Sequence, residues 1–70
     1  MEDYPKAVEG YQEALVAQPQ HAGARVNLAG VLDLQGRRPA AIKLLEEGLA
    51  LPGISPSAAE MLKQRLASLQ

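Results

Sequence analysis

The sequence predicts an all-α fold of antiparallel helix-turn-helix repeats, with about four helices in all. The first observation is an internal repeat, because a segment that starts at Pro5 returns at Pro39, 34 residues later. The matched pairs are Pro5/Pro39, Ala7/Ala41, Val8/Ile42, Tyr11/Leu45, Glu13/Glu47, Ala14/Gly48 and Leu15/Leu49. The second is that the apolar or small residues of each copy follow the i, i+1, i+4, i+7, i+8 spacing of one helical stripe. Repeats of this length stack into solenoids that present a surface, which favours binding over catalysis.

The first helix is expected at about residues 4–17. Pro5 is tolerated in its first turn, where a backbone N–H has no helical partner, and Pro19 ends the helix. The stripe expected to be buried consists of Ala7, Val8, Tyr11, Ala14 and Leu15.

A short turn at residues 18–21 leads to a second helix, expected at residues 22–35. Gly36 can adopt the left-handed conformation that commonly ends a helix, so it marks the end of this one. Gly30 lies in the helix interior, where glycine costs roughly 1 kcal/mol relative to alanine. A glycine at this position predicts that another group approaches the helix closely.

The third helix repeats the first and is expected to run from Arg38 or Pro39 to Leu51. It ends there because Pro52 and Gly53 form a strong helix-breaking pair.

The fourth helix is expected at residues 56–69, and two start signals compete for its first turn. Ser55 can be the N-cap with a proline following it, or Ser57 and Glu60 can form a capping box. We favour Ser55. The inward stripe is expected to be Ala58, Met61, Leu62, Leu66 and Leu69, with Lys63, Gln64 and Gln70 in water.

Composition argues against several classes of function. Seven basic and eight acidic residues give a net charge of −1, and two tyrosines are the only aromatic residues, so nucleic-acid binding is not expected. No apolar run is long enough to span a bilayer, so membrane insertion is not expected either. With one histidine and no cysteine, we expect no metal and no cofactor. The lack of a signal-peptide pattern and of cysteine favours a cytoplasmic location.

The residues resemble a tetratricopeptide repeat, a 34-residue pair of antiparallel helices called A and B. The positions that match helix A are Asn27, Leu28, Ala29 and Leu32, followed by the turn residues Gln35 and Gly36. The positions that match helix B are Ala41, Leu45 and Gly48, and, in the first helix, Ala7, Tyr11 and Ala14 with Pro19 as the closing proline. The resemblance implies a short right-handed α-solenoid.

The chain departs from the family pattern at several positions. Arg25 stands where the family prefers a bulky apolar residue, Arg38 where it often has an aromatic residue, and Pro52 comes one residue early. Leu62 or Lys63 falls where helix A needs a small residue for close packing. The fourth helix is therefore interpreted as the polar cap that such arrays require.

By this alignment residues 1–70 form a single domain: a B helix at about 4–17, a full repeat at about 22–52 and a capping helix at about 56–69. The first helix lacks an A helix of its own. This predicts either a truncated segment or a homodimer that completes its own stack, with self-association through Ala7, Tyr11 and Ala14.

The resemblance also implies that the A helices line a concave surface, which would hold a protein or an extended peptide. The candidate contacts are Gly23, Val26, Asn27, Gly30, Asp33 and Leu34 on the second helix, and Glu60 and Gln64 on the fourth. Asn27 can bond both the donor and the acceptor of a peptide backbone, and Asp33 favours a basic or donor-rich partner. A clamp for a C-terminal carboxylate is not expected, because only Asn27 matches its residues. Alternatively, Asn27 is merely solvated and the surface is empty.

No pattern in the chain predicts catalysis. His21 is expected to be a solvated linker residue, Ser55 a cap rather than a nucleophile, and Glu46 and Glu47 surface charges on the outer face. The predicted function is a non-enzymatic protein-interaction module. Two alternatives stay open: a structural segment that self-associates, and the repeat arm of a larger enzyme such as a glycosyltransferase.

Overall fold

The computed structural model describes residues 4–70 and contains four α-helices in this range. They are α1 (Tyr4–Ala17), α2 (Ala22–Leu34), α3 (Arg38–Leu49) and α4 (Pro56–Leu69). No strand occurs in the described residues, so the all-α prediction is confirmed. The first three residues of the predicted domain lie outside the described range.

Helix α2 ends as its glycine predicts. Gly36 has a φ of 77°, which only glycine adopts without strain. The Arg37 N–H donates to the Leu32 carbonyl at 2.8 Å, and the Gly36 N–H donates to the Asp33 carbonyl at 2.9 Å. These two bonds form a Schellman motif, which satisfies carbonyls that the helix end would otherwise leave unpaired. Gln35, which was predicted to be the last helical residue, is instead the C-cap.

Helix α3 is two residues shorter than predicted. It ends at Leu49 with Ala50 as C-cap, whereas Leu51 was expected to be the last residue. The Leu51 N–H bonds the Gly48 carbonyl, so the final turn tightens before the chain leaves the helix. The cause is Pro52, because the ring of a proline disfavours the helical conformation in the residue before it.

Two side chains cap helices at their N-termini. The Ser55 hydroxyl accepts a hydrogen bond from the Ala58 N–H at 3.1 Å, which confirms Ser55 as the cap of α4. His21 caps α2 in the same way, since its Nδ1 accepts from the Ala24 N–H at 3.0 Å. His21 is exposed in the turn, as expected, and it has a capping role that the sequence did not indicate, because a histidine nitrogen can replace the oxygen of a usual capping residue.

Helix α2 lies at the centre of the fold. It contacts α1, α3 and α4, whereas in the described residues α1 contacts only α2. The core is formed by α2, α3 and α4, and α1 has no fully buried residue. The stripe predicted for α1 is half-buried along its length. The buried core residues are Ala22, Leu28, Ala29, Leu32, Ala41, Leu45, Leu62 and Leu69.

Arg25 is buried where the resembling family has an apolar residue, and it is only 7% exposed. Its Nη1 donates to the Leu44 carbonyl at 3.0 Å, and its Nη2 donates to the Pro19 carbonyl at 2.9 Å. These bonds compensate for removing the guanidinium from water. Gly48 makes room for the arginine, because a Cβ there would lie 2.8 Å from Arg25 Nε and 3.0 Å from Leu62 Cδ1.

Candidate partner-binding groove

One side of α2 is left open by its neighbours and borders a cavity of about 420 Å³. Most of its wall comes from one face of α2, which follows from the helical spacing of those residues. Tyr11 of α1 and Arg65 of α4 close it from the two sides. The α2 residues that line it are Val26, Asn27, Gly30, Val31, Asp33 and Leu34.

Two further cavities continue this one. A cavity of about 310 Å³ lies between α2 and α4, and it shares Val26 and Arg65 with the first. A cavity of about 480 Å³ lies between α1 and α2, and it shares Tyr11 and Asn27 with the first. The shared residues make the three cavities one continuous surface, which we call the α2 groove.

The α2 groove brings together most of the residues predicted to contact a partner. All six predicted residues of α2 line it, and so does Gln64 of α4. Leu34 is 65% exposed, so this large apolar side chain is open to a ligand. Glu60 does not line the three cavities. Its Oε1 accepts a weak hydrogen bond from Gln64 Nε2 at 3.5 Å.

The residues predicted for self-association border the same surface. Ala7, Tyr11 and Ala14 line the cavity between α1 and α2, opposite Gly23 and Asn27. They are half-buried, so α2 covers part of each side chain. Partner binding and self-association, if both occurred, would therefore compete for Tyr11.

Sequence reasoning missed three groove residues on α4. Met61, Arg65 and Ser68 line the groove beside Gln64. Met61 had been expected to point inward but is 44% exposed, because α4 is covered by α2 and α3 on one side only. The three residues stand at i, i+4 and i+7, so extending the helical stripe from Met61 could have found them.

Gly30 lines the groove and has open space beside it. A Cβ at this position would meet no atom within 4 Å among the described residues. The expectation from the sequence that another group approaches Gly30 closely is therefore not met within residues 4–70. The space above Gly30 is open to a partner.

Asp33 is paired within the chain. Its Oδ1 accepts a hydrogen bond from Arg38 Nε at 2.8 Å. This hydrogen bond, and the charge of Asp33, raise the pKa of the Arg38 guanidinium above its usual value. The bond crosses the turn at Gly36, which brings the start of α3 next to the end of α2. Because Arg38 already occupies one oxygen of this carboxylate, Asp33 is a weaker reason to expect a basic partner than the sequence indicated.

A separate cavity of about 530 Å³ lies at the turns that precede α2 and follow α3. It is lined by Gln18, Pro19, Gln20, His21, Leu51 and Pro52. The Gln20 side-chain amide donates to the Pro52 carbonyl and so joins the two turns. This cavity is larger than each part of the α2 groove. However, the side chains of Gln20 and His21 are engaged in hydrogen bonds within the turns, and none of the predicted contact residues lines the cavity.

The described residues contain no group of three or more His, Asp or Glu side chains that could hold a metal ion. In the same range, none of the helices is both long enough and apolar enough to cross a membrane.

A family model described as "Tetratricopeptide repeat" matches residues 1–66, nearly the whole chain. The chain belongs to the tetratricopeptide repeat family. The resemblance predicted from the sequence is thereby confirmed, and tetratricopeptide repeats are helical solenoids that generally act as protein-interaction modules. No curated protein and no solved structure matches the chain. The chemistry of the α2 groove is therefore what indicates the kind of partner that this tetratricopeptide repeat chain binds.

Proposed function

We propose that this chain is a non-enzymatic interaction module that holds an extended peptide, or an extended segment of a protein, in the α2 groove. The single observation that carries this proposal is the continuity of the groove. The central cavity shares Val26 and Arg65 with one neighbouring cavity and Tyr11 and Asn27 with the other, and together the three are lined by α2 residues from Gly23 to Leu34.

The chemistry of the groove suits an extended peptide. Asn27 offers an amide that can donate to and accept from a peptide backbone. Leu34 and Met61 are exposed at 65% and 44%, and they supply apolar area on two sides of the groove. The open space above Gly30 lets a backbone approach α2 closely. Backbone recognition combined with apolar pockets is a common mode of peptide binding.

The test uses short random peptides displayed ahead of a carrier protein and selected on the unmodified chain. The selected peptides are synthesised with amide-blocked C-termini, and their affinity is measured by fluorescence anisotropy. We expect Leu34→Ala and Asn27→Ala each to weaken binding by about tenfold, as residues central to an interface do.

Val16→Ala is the matched control for Leu34→Ala. Val16 is 84% exposed and lies on α1, away from the groove residues, so its truncation removes apolar area without touching the groove. We expect it to leave the affinity unchanged. Circular dichroism is used to check that each variant keeps its helix content. A failure to select peptides, or equal losses with Val16→Ala and Leu34→Ala, would refute the proposal.

A second candidate function is structural self-association through α1. It is favoured by one observation, that α1 has no fully buried residue and contacts only α2 in the described part of the chain. In that case Ala7, Tyr11 and Ala14 would be covered by a second copy. Light scattering across a dilution series separates the candidates, because a mass of two chains that falls on dilution favours self-association and a constant single-chain mass excludes it.

A further inference from the structure

Arg65 occupies a central place in the α2 groove. It lines both the cavity between α2 and α4 and the cavity along the open face of α2. The side chain is exposed, and within residues 4–70 its guanidinium has no hydrogen bond or ion pair. Its backbone carbonyl alone is engaged, as the acceptor for the Ser68 hydroxyl at 2.7 Å. Within the described residues, its five guanidinium donors are therefore available to a ligand.

Within residues 4–70, the other acidic and histidine side chains that line the groove already have a hydrogen-bond partner. Asp33 is paired with Arg38 at 2.8 Å, and the imidazole of His21 accepts the capping hydrogen bond of α2. Glu60 bears the carboxylate nearest in sequence on α4, but it lies outside the three cavities and accepts from Gln64. Of the described Asp, Glu, Lys and Arg side chains that line the groove, Arg65 is the one without an ion pair, and its charge is positive.

Apolar side chains lie on both sides of this charge. Leu34 lines the cavity along α2, and Met61 lines the cavity between α2 and α4. Arg65 lines both cavities and so lies where they join. This order of apolar, cationic and apolar groups is complementary to a peptide with the order aliphatic, acidic, aliphatic.

We propose that the α2 groove is selective for a peptide segment in which an internal aspartate or glutamate is flanked by aliphatic residues, with Arg65 binding the carboxylate. This inference rests on the proposed function and specifies the partner's chemistry. A guanidinium matches a carboxylate because two parallel N–H donors can bond its two oxygens. The partner's acid is an internal side chain, since an extended segment has to continue past Arg65 to reach both Leu34 and Met61.

The experiment compares the same displayed-peptide selection on the unmodified chain, on Arg65→Gln and on Arg37→Gln. Arg37 is the matched control, because it is exposed in the turn before α3 and its side chain makes no capping hydrogen bond. We expect enrichment of aspartate or glutamate at one peptide position on the unmodified chain and on Arg37→Gln. On Arg65→Gln we expect the aliphatic preference to persist and the acidic preference to vanish.

Affinities of one selected peptide then complete the test. Arg65→Gln should weaken its binding by about fivefold, the upper range for an exposed ion pair. Changing the peptide's acid to its amide should cost a similar factor, and the two changes together no more than either alone. Added salt should weaken the unmodified pair and leave the Arg65→Gln complex unaffected.

The outcomes separate the two proposals. Selected peptides without acidic enrichment, or with basic residues at the enriched position, overturn the acidic-segment inference while peptide binding itself stands. An acid-free peptide with a free C-terminus that binds Arg65 better than the blocked acidic peptide also overturns it. The absence of any selected peptide on the unmodified chain refutes the proposed function as well.

Discussion

Helix α2 has a packed side and an open side, and one glycine near each shows how they differ. Gly48 of α3 faces the packed side, where a Cβ would come within 2.8 Å of Arg25 Nε and 3.0 Å of Leu62 Cδ1. Gly30 lies on the open side, where a Cβ would meet no atom within 4 Å among the described residues. Gly48 therefore allows close packing, whereas the absence of a side chain at Gly30 serves no packing among the described residues.

The contrast between the packed and the open side of α2 shows which residues are available to a partner. On the packed side, Arg25 is held by two carbonyls, so changes there act on stability. On the open side, Val26, Asn27 and Leu34 contact the groove, and a large substitution there has room. Residues on the packed side of α2 therefore contribute to stability, and residues on the open side contribute to binding. Substitutions on one side should change one property without the other.

Gly48→Ala is expected to have the larger effect. It should lower the free energy of unfolding by about 2 kcal/mol, a typical cost of overpacking. The Arg25 side chain cannot easily move away from the added methyl group, because both of its hydrogen bonds would be strained. The measurement is urea unfolding followed by circular dichroism, and affinity for a selected peptide should stay unchanged in the folded protein.

An Arg25→Met background provides the control for this prediction. Removing the guanidinium and its hydrogen bonds leaves a flexible side chain that can move away from the added methyl group. The penalty of Gly48→Ala should then fall by about 1 kcal/mol, which a double-mutant cycle measures. An equal penalty in both backgrounds would show that Leu62, rather than Arg25, requires the glycine.

Gly30→Ala is expected to have a smaller effect of opposite sign. It should raise the free energy of unfolding by about 1 kcal/mol, because alanine favours the helix and meets no neighbour. Gly10→Ala in α1, which also has open space, should stabilise the chain similarly and serves as the reference. Gly30→Ala should also weaken binding of a selected peptide, and unchanged affinity would show that the partner's backbone does not approach Gly30.

Much of the fold could be predicted from local signals. The 34-residue repeat predicted the helices, Gly36 the end of α2, and Ser55 the start of α4. The helical spacing within each repeat, the glycine and the serine cap act through residues close in sequence, so their physical effect depends little on the rest of the fold. The end of α3 was placed two residues too late, because a proline disfavours the helical conformation in the residue before it, which here is Leu51.

The candidate site could be predicted only in part. The resemblance to tetratricopeptide repeats implied that six residues of α2 contact a partner, and all six line the groove in the structure. The Asp33–Arg38 pair, the carbonyl partners of Arg25 and the position of Arg65 depend on how separate helices meet. No pattern within one helix contains that information, which is why the electrostatic character of the groove was first interpreted in favour of a basic partner.

The most direct test of the central claim is a two-dimensional amide NMR titration of the chain with a selected, amide-blocked peptide. We expect the largest shift changes on the open side of α2 and the facing side of α4, at Val26, Asn27, Gly30, Leu34 and Arg65. The backbone amides of Glu46 and Glu47, on the exposed side of α3, should stay unchanged. Shift changes concentrated on α3, or at the turn cavity around Gln20, would contradict the assignment of binding to the α2 groove.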